Sequence, residues 1–148
     1  MYQRILVPTD GSDTVAETLE HATELATDRD ATVHGLYVLD RRLTHAAPAE
    51  TRPVLRGQLE VEGEQALADL ERTVTEAGLD VVTSVAEGRP SKEIRSYADE
   101  HDIDLIVIGT HGKGPREKLT SLGSVSERVV DTSSVPVLVV RNAGRNET

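Results

Sequence analysis

The stretch "DLIVIGTHGKGPREKLTSLGSVSERVV", Asp104 to Val130, decides the fold. It opens with a short apolar run rich in β-branched residues, the composition of a strand buried on both faces. A loop with glycines at 109, 112, 114 and 123 follows, and then a helical segment from Ser124 to Asp131. Gly109 and Gly112 can let backbone approach a ligand closely or take positive φ. Gly123-Ser124 stands at the helix start, where free N–H groups and the helix dipole attract an anion. Lys113, Arg116 and Lys118 make the loop locally positive. A polyphosphate suits all three features. A plainer account is also open, because Ser124-x-x-Glu127 is a capping box and Gly114-Pro115 can simply turn the chain.

Working outward, the same alternation of strand and helix covers the chain. "RILVP" (Arg4–Pro8) reads as a first strand. Ser12 can cap a helix whose apolar stripe is Val15, Leu19, Ala22 and Ala26. "TVHGLYVL" (Thr32–Leu39) reads as strand two, and the polar, proline-containing "DRRLTHAAPAETRP" after it as an exposed loop. A helical stripe runs from Leu55 through Leu59, Ala66, Leu70, Val74 and Ala77 to a stop at Gly78. "DVVTSVA" (Asp80–Ala86) is strand three, and Pro90-Ser91 opens a helix through Ile94, Tyr97 and Ala98. Asp104–Gly109 is strand four and "VPVLVVR" (Val135–Arg141) strand five. Five strands joined by helical crossovers predict a single α/β domain over 1–141: a doubly wound, Rossmann-like parallel sheet with helices on both faces. Residues 142–148, "NAGRNET", read as a flexible tail. Ligands of such sheets sit beyond the carboxyl ends of the strands where the winding reverses. "PTDGS", "VLD" and the glycine-rich loop all fall on that rim.

Composition narrows the function. The chain carries 26 Asp+Glu against 16 Lys+Arg, a formal net charge of −10. An acidic surface repels nucleic-acid phosphates, so no nucleic-acid partner is expected. No apolar run approaches the roughly 20 residues that cross a bilayer, and the start lacks the features of a secretory leader. The expectation is a cytoplasmic protein without membrane association. With no cysteine, disulfides, thiolate metal sites and thiol nucleophiles are unavailable. Phe and Trp are absent too, so Val, Leu, Ile and Ala must fill the core.

"ILVPTDGSD", "GTHG", "GSVSERVV" and "VPVLVVR", taken in order, resemble the universal stress protein family of the UspA type over almost the whole chain. That resemblance implies a five-stranded, adenine nucleotide alpha hydrolase-like parallel sheet, homodimers, and in one branch ATP binding through G-x-x-G, nine residues, G-[ST]. By position it implies that Asp10 and Val38 meet adenine, with Pro8 and Thr9 shaping the pocket. Gly109, Thr110, His111 and Gly112 would line the ribose and phosphate region, and Gly123, Ser124 and Val125 would hold phosphates. Lys113 would supply the cation. Between Gly112 and Gly123 the spacer "KGPREKLTSL" has ten residues, one more than the family pattern.

Other chemistry is thin. There is no Walker loop, and "GTHGKG" reverses the glycine spacing of the dinucleotide fingerprint. No H-x-x-x-H or H-E-x-x-H occurs, so no metal site is expected. His21 and His34 read as packing or surface residues, whereas His111 could donate to a phosphate or hold the turn. Asp10 ends a buried strand and precedes Gly11, a common turn pair. Asp40 borders the charged loop, where solvation accounts for it. No nucleophile, base and orienting partner can be assembled, so no catalytic residue is named.

The function expected is therefore an ATP-binding stress-response module, with Mg2+-ATP as ligand and little or no hydrolysis. The alternative is a nucleotide-free stress-response dimer working through an unidentified protein partner. A slow ATP hydrolase or phosphotransferase is the weaker third reading. The homodimer is expected to form through the strand Val135–Arg141, whose apolar edge invites pairing.

Overall fold

Short runs of Val, Ile and Leu cannot leave either side in water, so each must lie in the middle layer of a three-layer stack. The computed structural model describes residues 2–12, 15–110 and 124–141 of the chain and has this arrangement. The strands are β1 (Arg4–Thr9), β2 (Thr32–Asp40), β3 (Val81–Gly88), β4 (Leu105–Gly109) and β5 (Val137–Val140). All pairings are parallel, and the sheet order is β3-β2-β1-β4-β5. The helices are α1 (Val15–Arg29), α2 (Arg41–Ala46), α3 (Arg52–Glu76), α4 (Pro90–Glu100) and α5 (Ser124–Thr132). The doubly wound α/β fold is thus the one observed. The expected tail, 142–148, lies outside the described residues.

Alternate residues of each central strand enter opposite cores. Ile5 and Val7 of β1, with Val33, Leu105 and Val107, face Leu19, Ala22 and Ala26 of α1 and Leu70 and Val74 of α3. Leu6, Leu36, Ile106 and Ile108 face Ile94, Tyr97 and Ala98 of α4 and Val129 of α5. Both cores are aliphatic except for Tyr97 and edge contributions from Tyr2. The two helix pairs follow from right-handed crossovers: winding toward β3 puts α1 and α3 on one face, and winding back puts α4 and α5 on the other.

Several expected boundaries shift. β1 runs one residue further, to Thr9, and β2 to Asp40. β3 is displaced to Val81–Gly88, and β5 shortens to Val137–Val140, because its ladder to β4 ends there. Along α3 the buried positions are Gly63, Leu67, Leu70 and Val74, so Ala66 and Ala77 of the expected stripe are not core residues.

The loop expected between strand two and the long helix is a correction. Arg41–Ala46 is helical, Ala49–Thr51 forms a 3-10 turn, and α3 starts already at Arg52. Asp40 caps α2 by accepting from the Arg42 N–H at 3.0 Å. At the other end Arg52 donates to the carbonyls of Ala47 (3.0 Å) and His45 (3.1 Å), satisfying helix-end acceptors. A six-residue helix has no stable existence of its own, so these contacts decide its state. Pro53, read as a loop residue, falls in the first turn of α3, where its missing N–H costs nothing.

Away from the carboxyl rim, His34 on β2 is buried and its Nδ1 lies 2.7 Å from the Tyr97 hydroxyl on α4. The Tyr97 ring stacks on His101 with centroids 3.8 Å apart. Packing, one of the two roles expected for His34, is the one observed. Burial, and then the positive charges of His101 and Arg4, lower the His34 pKa below its usual 6.5. Its charged form is opposed in the folded chain and free to form in the unfolded one, so the unfolded state takes the proton first. Stability from this group is complete above the unfolded value and is lost as pH falls below it. Urea midpoints should decline between about pH 7.5 and 5.5, and His34→Gln should flatten part of that decline. An equal slope in both proteins would refute the assignment.

Candidate functional site

The β1–β4 ladder is short. Ile5 pairs with Leu105 and Leu6 with Ile106, but Val7–Thr9 and Val107–Gly109 continue without register partners across that seam. The seam is also where the winding reverses, which is where open parallel sheets hold ligands. A cavity of about 370 Å³ opens there. Its walls come from the ends of β1 (Pro8, Thr9, Asp10), β2 (Tyr37, Val38, Asp40) and β4 (Ile108, Gly109, Thr110). The start of α5 adds Ser124, Val125 and Ser126, and the start of α4 adds Pro90 and Ile94. α1, α2 and α3 close the opposite side with Val15, Thr18, Arg42, Leu43, Leu59 and Glu62.

Of the residues expected from sequence, Pro8, Thr9, Asp10, Val38, Gly109, Thr110, Ser124 and Val125 therefore surround one cavity. His111, Gly112, Lys113 and Gly123 lie outside the described residues. The turn after β1 is tightly specified. Ser12 N–H donates to Asp10 Oδ1 at 2.9 Å, Gly11 N–H donates to Thr9 Oγ1 at 3.2 Å, and Gly11 takes φ +82°. Asp10 thus shapes its own turn, and its second oxygen is a separate acceptor. Thr110 is buried and its N–H donates to the Val140 carbonyl at 3.0 Å, which anchors the end of β4. Ser124 is exposed at the first turn of α5.

Sequence reasoning missed the wall made by Tyr37, Arg42, Leu43, Leu59 and Glu62. Asp40, read as merely solvated, caps α2 and grips Arg42: Oδ1 accepts from Nε at 3.1 Å and Oδ2 from Nη2 at 2.8 Å. That hydrogen bond, reinforced by the carboxylate charge, raises the Arg42 pKa above its ordinary value. On the other side Tyr37 is buried, and burial, then the charges of Glu62 and Asp10, push its phenol up to about 12. Tyr37 stays neutral at physiological pH, with a hydroxyl able to donate.

The signal that could have found this wall is a glycine inside a helix. Gly63 of α3 is buried against the Tyr37 ring, which a Cβ would overlap. Gly57 on the same helix has nothing within 4 Å of the place a Cβ would take. The first glycine therefore permits close packing and the second does not. An arginine–carboxylate pair, Arg56 to Glu87 at 2.5 and 2.6 Å, ties the early turns of α3 to the end of β3. Among the described residues no group of three or more His, Asp or Glu is placed to hold a metal ion. Nor is any described helix long and apolar enough to cross a membrane.

Comparison with known proteins gives one consistent answer. The sequence profile described as "Universal stress protein family" matches residues 1–141. The chain is 39% identical over 142 residues to Universal stress protein MJ0531 of Methanocaldococcus jannaschii, covering 95% of this chain and 83% of that protein. Among solved structures, MJ0577 of the same organism superposes with a TM-score of 0.83 at 33% identity, covering 95% of this chain and 96% of that one. A universal stress protein solved in complex with cAMP superposes with a TM-score of 0.68 at 25% identity, covering 96% and 98%.

The two glycines separate by experiment. Gly63→Ala should lower stability by about 1–3 kcal/mol, because Tyr37 must move within a packed wall. Gly57→Ala should raise it by about 0.5–1 kcal/mol through helix propensity alone. Urea unfolding of both variants checks the pair, and equal effects would show that α3 does not bear on Tyr37 as described.

Proposed function

The chain belongs to the universal stress protein family, and we propose that it is a regulatory, stress-response module that binds Mg2+-ATP at the strand rim with slow hydrolysis at most. One observation carries this reading: three distant sequence stretches meet around a single cavity at the seam where the sheet reverses. Its volume, about 370 Å³, lies within the range of small-molecule sites. The walls suit such a ligand. Pro8, Val38, Ile108 and Val125 offer apolar surface for a base, while the first turn of α5 offers N–H groups for an anion. The cAMP complex of a related universal stress protein lends support to an adenine nucleotide here.

In this reading Asp10 and Val38 meet adenine, and Pro8 and Thr9 shape its slot. Gly109, Thr110, His111 and Gly112 border the ribose and phosphates. Gly123, Ser124 and Val125 hold the phosphates, with Lys113 as their cation. Bound ATP would act by changing which partner the protein engages.

A second reading draws on the ten-residue spacer, one longer than the family pattern: a nucleotide-free dimer that works through protein contacts. Small molecules released from freshly purified, undialysed protein, followed by calorimetry with Mg2+-ATP, separate the two. ATP binding is expected, with Asp10→Ala weakening it about tenfold or more. No bound nucleotide and no heat would favour the second reading.

Both readings include a homodimer. β5 is an edge strand carrying Leu138, 36% exposed, and α5 presents Val130, 45% exposed, beside it. An apolar edge of this kind pairs readily with another copy. Sedimentation velocity should show a dimer that Leu138→Lys shifts toward monomer, and an unchanged distribution would place the interface elsewhere.

A further inference from the structure

Glu62 is not among the positions that the family resemblance marks. Gly63 allows α3 to press against the Tyr37 ring, and this contact delivers the neighbouring Glu62 to the cavity wall. There its side chain lies over the turn after β1. The position a Cβ would take on Gly11 is 3.2 Å from Glu62 Cγ and 3.9 Å from Oε2. Gly11 sits at φ +82°, where a side chain would be strained, and the Glu62 side chain occupies the space above it.

Charge is unevenly distributed around the cavity. Asp10, Asp40, Arg42 and Glu62 are the charged residues among its described lining. Asp40 is paired with Arg42, and Asp10 and Glu62 bring two further carboxylates to the lining that Tyr37 and Val38 share. Ser124, in the first turn of α5, stands on the opposite face of the sheet from α3, the helix that carries Glu62. The Glu62 carboxylate and the start of α5 thus belong to different walls of the cavity.

We propose that Glu62 is a further ligand-binding and specificity residue: its carboxylate accepts a hydrogen bond from a donor on the nucleoside. This inference rests on the nucleotide-binding reading above. A nucleoside offers such a donor from two sources, the ribose hydroxyls and the amine of the base. A carboxylate accepts from either, repels phosphate, and leaves a keto-bearing base without a partner. Tyr37, on the same wall, stays neutral, because burial and then the charges of Glu62 and Asp10 push its phenol up to about 12.

The test is a calorimetric cycle. Wild type, Glu62→Gln and Glu62→Ala are titrated with Mg2+-ATP, with its 2′-deoxy and 3′-deoxy analogues, and with inosine triphosphate, which has a keto group in place of the amine. Glu62→Ala should bind ATP about tenfold or more weakly, with Glu62→Gln between it and wild type. The analogue that lacks the contacted donor should bind wild type and Glu62→Ala alike, which identifies the source. Urea midpoints verify that each variant is folded. Wild-type affinity for every nucleotide in folded Glu62→Ala would overturn this inference alone. An equal loss for all four ligands would do the same, because it marks a structural effect. Absence of nucleotide binding in wild type would overturn both this and the function on which it rests.

Discussion

The seam between β1 and β4 is the constraint from which the rest of the structure follows. Two strands that each lead away into crossovers of opposite direction cannot share a crossover helix over their carboxyl ends. Their ladder stops at Leu6 and Ile106, and the chain beyond must be covered from elsewhere. On one face α1 and α3 lean in, and on the other α4 and α5. What remains between them is the cavity. Its existence is a consequence of winding order and not of any single loop.

An aliphatic interior makes this workable without Phe or Trp. Ile, Leu and Val fill both cores from alternating strand positions, so each central strand is buried on its two faces. The tyrosines then stand at the margins of the packing. Tyr97 meets His34 and His101 on the α4 face, and Tyr37 forms a cavity wall on the α3 face. Tyr37 also dictates how closely α3 can approach, and Gly63 answers that demand.

Acidity of the chain as a whole and the chemistry of the rim are separate matters. The formal charge of −10 is spread over solvated helix faces, where it opposes association with polyanions. At the rim the charges act at short range. One carboxylate is bound by Arg42 and caps α2, another shapes the turn after β1, and a third is held over that turn by α3. The helix that carries Arg42 depends on its caps, since six residues cannot sustain helical structure alone.

Sequence by itself determined the five strands, their parallel crossovers and the rim, because these follow from periods of two and 3.6 and from capping residues that act within a few positions. Asp10, Val38 and Gly109 could be placed at strand ends for that reason, as could Ser124 at a helix start. Tertiary structure alone decided that Glu62 and Tyr37 face the cavity at the ends of β1 and β4. Those outcomes depend on contacts between residues far apart in the chain, such as Glu62 with Gly11. No local pattern encodes them; they arise from how closely α3 can settle on β2, and a single missing Cβ at Gly63 sets that distance.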